Sequence, residues 1–177
     1  MKFSSALIVL TALTFAACAT KKPQPPVAAT EELPSVEVAD QGPRLSDDEI
    51  TRQVFEGVNK QRTANGLQPL LASPELASSA QEHSEKMLVG NFLSTRGADE
   101  PSAITRITSH GVKTLKLGEN VVRIKTRPDH VADDTVAIWM GASADHKNIV
   151  SPSFTKGGVG VSHTADGNYY VSEDFAE

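Results

Sequence analysis

The far end of the chain constrains the fold most. Gly158 to His163 and Asn168 to Phe175 flank an Asp166-Gly167 turn. An Asp-Gly pair between alternating apolar residues is the strongest short-range signal for a β-hairpin. Val159 and Val161 alternate on the first strand, and Tyr169, Val171 and Phe175 on the second, the period of strands with one face on a core. Most of what precedes the hairpin carries helical signals. Helices first and strands last predict a mixed α+β sandwich instead of a doubly wound sheet. The single cysteine, Cys18, has no partner for an internal disulfide, so the core alone must hold the domain.

The helices announce themselves by caps and stripes. Ser46-Asp47-Asp48-Glu49 is a capping box ahead of Ile50, Val54 and Val58, with Phe55 beside them, which gives one apolar stripe. Gly66 ends that helix and Pro69 lies beyond it. Ser73-Pro74 opens a second helix, serine as N-cap and proline at the first helical position. Its inward stripe is Leu76, Ala80, His83 and Met87. His83 on that face reads as a core histidine bonded to a carbonyl, or else as a ligand. Ser102 to His110 predicts a short helix with Ile104 and Ile107 inward and Gly111 as its stop. His110 suits the carbonyls and dipole at that helix end. Leu117 to Lys125 predicts a strand. Asp129 or Asp133 starts a further helix with Ala132, Val136, Trp139 and Met140 inward.

The N-terminal segment has a different character. Ala6 to Ala17 is apolar but shorter than the roughly 20 residues that a spanning helix needs, and reads as the apolar part of a secretory signal over residues 1–17. Cys18 follows Phe15-Ala16-Ala17, which resembles a bacterial lipobox, so Cys18 is the expected site of lipid attachment. The alternative is plain cleavage and a soluble secreted protein. Residues 18–44, rich in Pro, Ala, Glu, Lys and Gln, read as the lipidated N-terminus and an extended tether. Residues 45–177 then form one domain of ordinary size. The formal charge of −5 and the lack of a lysine/arginine cluster exclude nucleic acid as an expected partner and argue against electrostatic binding to anionic headgroups.

The chemistry concentrates in the run from Trp139 through Ser143, His146, Asn148 and Ile149 to Phe154, with Gly118-Glu119-Asn120 upstream. It puts a carboxylate and an imidazole where a helix ends and a loop begins. Such a pair suits a metal site, an acid/base pair or a structural hydrogen bond. Were the two to converge, Glu119 would orient His146, leaving the other ring nitrogen to act as a base or to bind zinc. A catalytic zinc has three protein ligands and an open position, and only these two present themselves. Ser143 stands three residues before His146 but in no Gly-x-Ser-x-Gly elbow.

Six segments in order resemble the CAP superfamily of cysteine-rich secretory, antigen 5 and pathogenesis-related proteins, also called SCP-like. They are Asn59-(x2)-Arg62-(x3)-Gly66-Leu67-(x1)-Pro69-Leu70; Leu76-(x3)-Ala80-(x2)-His83-Ser84-(x2)-Met87; Gly90-Asn91-Phe92; Gly118-Glu119-Asn120; Trp139-(x3)-Ser143-(x2)-His146-(x1)-Asn148-Ile149; and Gly158-Val159-Gly160 to Tyr170-Val171-(x3)-Phe175. The lack of disulfides is similar to the bacterial branch. The resemblance implies a three-layer α-β-α sandwich with a central, mainly antiparallel sheet. It also implies a surface cleft with two histidines and two acidic residues that bind a divalent metal in some members. Glu119 matches one acid and His146 the second histidine. Thr95 stands where the first histidine belongs, and Thr105, ahead of Arg106, where the other acid does.

Threonine is a poor zinc ligand, and one histidine with one carboxylate gives weak, open coordination. No cofactor is expected, and any divalent metal is expected to bind weakly through Glu119 and His146. The expected function is therefore that of a lipid-anchored bacterial envelope protein, secreted if Cys18 is not lipidated. Its CAP domain presents a cleft of Thr95, Thr105, Glu119, Ser143 and His146 to a lipid, cell-wall or protein ligand. The alternative is a peptidase- or lipase-like envelope hydrolase using His146 and Glu119.

Overall fold

The computed structural model describes residues 45–96, 101–114 and 116–177; the secretory signal, Cys18 and the tether lie outside them. Ser46 caps α1 (Asp47–Ala64) through its hydroxyl, which accepts from the Glu49 amide at 3.2 Å. Ile50, Val54 and Val58 form its buried stripe as predicted. A two-residue strand, β1 (Leu71–Ala72), leads into α2 (Pro74–Gly90), which Ser73 caps. Then follow α3 (Ala103–Ser109), β2 (Leu117–Lys125), a 3-10 turn over Pro128–His130 and α4 (Val131–Gly141). The chain continues through α5 (Ser143–Ile149) into the hairpin of β3 (Lys156–His163) and β4 (Asn168–Ala176). Gly167 takes φ +83° at the hairpin turn, a conformation that glycine adopts without strain.

The sheet runs β1-β3-β4-β2, with only the β1–β3 pair parallel. Register divides its side chains. Val159, Val161, Val171, Phe175 and Val122 face one way, into a core with Ile50, Val54 and Val58 of α1 and Val136 and Trp139 of α4. Glu119 and Asp174, a cross-strand pair, face the other way, toward α2 and α3. This is the expected α-β-α sandwich with a mainly antiparallel sheet.

Gly158 and Gly160 explain how α2 seats itself. A Cβ at Gly158 would stand 2.1 Å from the Ala77 nitrogen, and one at Gly160 2.2 Å from the Gln81 nitrogen. Helix backbone therefore lies directly on strand backbone. The Gln81 side chain strengthens the contact by accepting from the Val161 amide at 3.0 Å. Gly160→Ala is expected to cost about 1–3 kcal/mol through overpacking, read as the shift in urea midpoint. An unchanged midpoint would show that the helix can lift away freely.

Three expectations need correction. β1 was not foreseen; two residues carry no period. The segment after Trp139 is not a loop: Ala142, extended at φ −94° and ψ 121°, breaks the helix and α5 starts afresh. On α3, Ile107 is buried but Ile104 is 50% exposed, and Arg106 takes the inward place. Acidic groups supplied by the sheet draw that arginine in.

Candidate functional site

Asparagines fix α5 to β2. Asn148 donates through Nδ2 to the Glu119 carbonyl at 3.1 Å and to Asn120 Oδ1 at 2.8 Å, while Asn120 Nδ2 donates to the Asp145 carbonyl at 3.1 Å. Gly118 belongs to the same joint, because a Cβ there would meet the Phe154 ring at 2.8 Å and Asn148 Oδ1 at 3.1 Å. The two motifs singled out in the sequence thus converge in space through backbone and amide groups.

The Glu119 carboxylate points elsewhere. Strand alternation turns it to the face opposite Asn120, where its side chain is 2% exposed. There it accepts a short hydrogen bond from Arg106 Nη2 and another from the Ser172 hydroxyl at 3.3 Å. Arg106 Nη2 also reaches Asp174 Oδ1 at 3.3 Å, and its Nε donates to Ser79 Oγ at 3.2 Å. His83 Nε2 bonds the Ser94 carbonyl oxygen at 2.8 Å and lies 3.7 Å from Glu119 Oε1. His83 is thus the buried, carbonyl-bonded core histidine that its place on the apolar stripe predicts. Seating α2 on bare glycines also brings that imidazole down to the sheet, beside Glu119.

The electrostatics follow from one guanidinium facing two carboxyls away from water. Burial, reinforced by Asp174, pushes Glu119 up to about 8 against the pull of Arg106. Burial pushes Asp174 up to about 6, opposed by Arg106. On the other face, fully buried Glu173 is raised well above the ordinary carboxylate range, chiefly by burial and secondly by Asp174, with Arg62 opposing. Arg62 spends its own donors on the carbonyls of Gln68, Ile149, Ser151 and Phe154. Neutral acid is the form that such surroundings favour.

The other predicted site residues lie outside this cluster. Thr95 is exposed, one residue past the Ser94 carbonyl that holds His83. Thr105 is exposed at the start of α3, its hydroxyl 3.0 Å from Ser102 Oγ. Ser143 is exposed at the first position of α5, and His146 is half-buried on that helix. Among the described residues no hydrogen bond or ion pair joins His146 to Glu119 or to Ser143. Nor are three His, Cys, Asp or Glu side chains grouped there as a metal ion needs. With Glu119 committed to Arg106, the donors do not fit a divalent ion.

Sequence reasoning passed over Arg106, Asp174 and Glu173. A signal for Glu173 was available: it shares the parity of Tyr169, Val171 and Phe175, so the alternation that predicted those inward residues predicted it too. Arg106 and Asp174 come together only through the tertiary fold.

Two layers of helix around a four-stranded sheet, with an asparagine joint locking the last short helix to the strand that bears the acid, define the class as an α-β-α sandwich domain. The chain belongs to the cysteine-rich secretory protein family, CAP, whose model matches residues 55–175. It is 31% identical over 109 residues, 62% of its length, to the uncharacterized protein YkwD of Bacillus subtilis (strain 168), and spans 41% of that relative. An extracellular protein containing a SCP domain from Bacillus anthracis str. Ames superposes with a TM-score of 0.63 at 24% identity, over 77% of this chain and 45% of the other. An outer surface protein of Borrelia burgdorferi gives 0.66 at 15% identity, over 77% and 98%. At those identities the likeness is one of fold.

Proposed function

We propose that the chain is a lipid-anchored protein of a bacterial cell envelope whose CAP domain acts as a non-enzymatic ligand-binding module. One observation carries this. Glu119, the acid that a catalytic reading requires beside His146, is buried on the far face of β2 against Arg106. A general base needs hydrogen-bond reach of the group that it serves, and a nucleophile needs a base beside it. The geometry offers His146 neither Glu119 nor Ser143. Recognition then falls to residues that water reaches, Thr95 beyond α2, Thr105 on α3, and Ser143 and half-buried His146 on α5, which supply hydroxyls and an imidazole for hydrogen bonding.

The envelope location draws support from the two structural relatives, one described as extracellular and the other as an outer surface protein. The lipobox-like Phe15-Ala16-Ala17-Cys18 adds the anchor, and acylation at more than one point makes anchoring stable. The test is metabolic labelling with palmitate of wild type beside Cys18→Ser. Labelled, membrane-bound wild type and unlabelled, released variant are expected; equal labelling of the two would reject the anchor. Peptide or ester hydrolysis by the purified chain, abolished in His146→Ala, would favour the hydrolase instead.

A further inference from the structure

Glu119 of β2 and Asp174 of β4 are a buried cross-strand pair of acids, and a pair of carboxyls shut away from water calls for a cation. Here the cation comes from a third element. The Arg106 side chain, 1% exposed, reaches in from α3 and puts one Nη2 against both Glu119 and Asp174, with its Nε anchored on Ser79. We propose that Arg106 is the resident cation of this site, a tethered guanidinium that pairs with Asp174 and donates to Glu119, and so makes the domain independent of any metal ion. Three features support the assignment. Glu119 Oε1 is already shared between Arg106, Ser172 and the nearby His83. A divalent ion brought to that oxygen meets the repulsion of a guanidinium in a medium that screens charge poorly. Arginine keeps its proton under all physiological conditions and does not dissociate from the chain, so its charge cannot be lost by dilution or chelation.

This rests on reading the site as a binding module and explains why its acid serves no metal. Labelling at Cys18 and hydrolysis assays do not depend on zinc, so failure of that reading is distinguishable from failure of this one. The experiment is thermal unfolding of the full chain with zinc chloride, with chelator, and with guanidinium at non-denaturing concentration. Wild type is expected to melt at one temperature with zinc or with chelator. Arg106→Ala is expected to melt lower and to regain several degrees with zinc or guanidinium, but not with sodium at equal ionic strength, as ligands that bind only the folded state do. Arg106→Lys, which keeps the charge, is expected to fold and to ignore zinc.

Tight zinc uptake by wild type that Glu119→Gln abolishes would overturn the proposal. So would an Arg106→Ala chain that no cation stabilises, including one that stays unfolded with and without zinc. A gain with zinc that persists in Arg106→Ala/Glu119→Gln/Asp174→Asn would overturn it as well, by placing the zinc elsewhere.

Discussion

Arg106→Ala is expected to lower the unfolding free energy by about 3–5 kcal/mol, the cost of breaking a buried ion pair from one side. Against a domain stability of about 5–15 kcal/mol, that loss dominates anything available from the surface. Exposed pairs such as Arg52 with Glu49 or Lys125 with Asp166 are screened by solvent and contribute little. The cause of the large effect is the Asp174 charge left behind, beside a Glu119 that burial keeps protonated up to about 8. Without the guanidinium, Glu119 and Asp174 face each other in the cross-strand pair, closed off from water by α2 and α3. Removing the charges as well separates this from loss of packing. Arg106→Ala/Glu119→Gln/Asp174→Asn is expected to recover a large part of the deficit in guanidine denaturation at neutral pH. If the triple variant is as unstable as the single one, lost volume and not unpaired charge is responsible.

How much of this was legible beforehand follows from where each interaction closes. The caps at Ser46 and Ser73, the stripes of α1 and α2, and the hairpin about Asp166-Gly167 are local patterns, and each element appears as expected. The family resemblance carried the three-layer arrangement. The ion cluster is of another kind. Its members come from α2, α3, β2 and β4, and the link from Arg106 to Asp174 alone spans 68 residues. On α3 the period alone favoured Ile104 and Ile107 as the inward residues and assigned Arg106 no place. It is inward because β4, paired on both sides and covered by helices on both faces, buries successive acids on opposite faces. Glu119 was correctly singled out as a residue with chemistry. Its partner was misplaced, because spacing cannot tell which face of an unplaced strand meets which helix.

Stability is expected to fall as pH rises from about 4.5 to 8, the reverse of the usual acid denaturation. The sign follows from the proton count. In the unfolded chain the carboxyl groups lose their protons near 4.5 for Glu119 and 3.8 for Asp174; in the folded domain they keep them to about 8 and about 6. Glu173 behaves the same way, held neutral by burial. Over this window the unfolded state binds fewer protons than the native state, so each step up in pH favours unfolding. A group protonated only in the fold contributes ~1.4 kcal/mol for every rise of one in pH. The stabilisation is full below the unfolded values and gone above the folded ones. Surface acids pull the other way at lower pH: Glu82, bonded to Lys86 and His110, and Asp166, bonded to Thr164, Asn168 and Lys125, both titrate below their ordinary values. Their contribution disappears as acid protonates them, which sets a maximum near pH 4–5. Melting temperatures measured across pH 4 to 9 at constant ionic strength check the slope. Glu173→Gln and Glu119→Gln keep the shape of the neutral acid but have no proton to lose. Each is expected to match wild type near pH 4.5 and to exceed it at pH 8. Wild type that grows steadily more stable from pH 5 to 8 would mean that these carboxyls are ionised in the fold, and that Arg62 and Arg106 neutralise more buried charge than their contacts indicate.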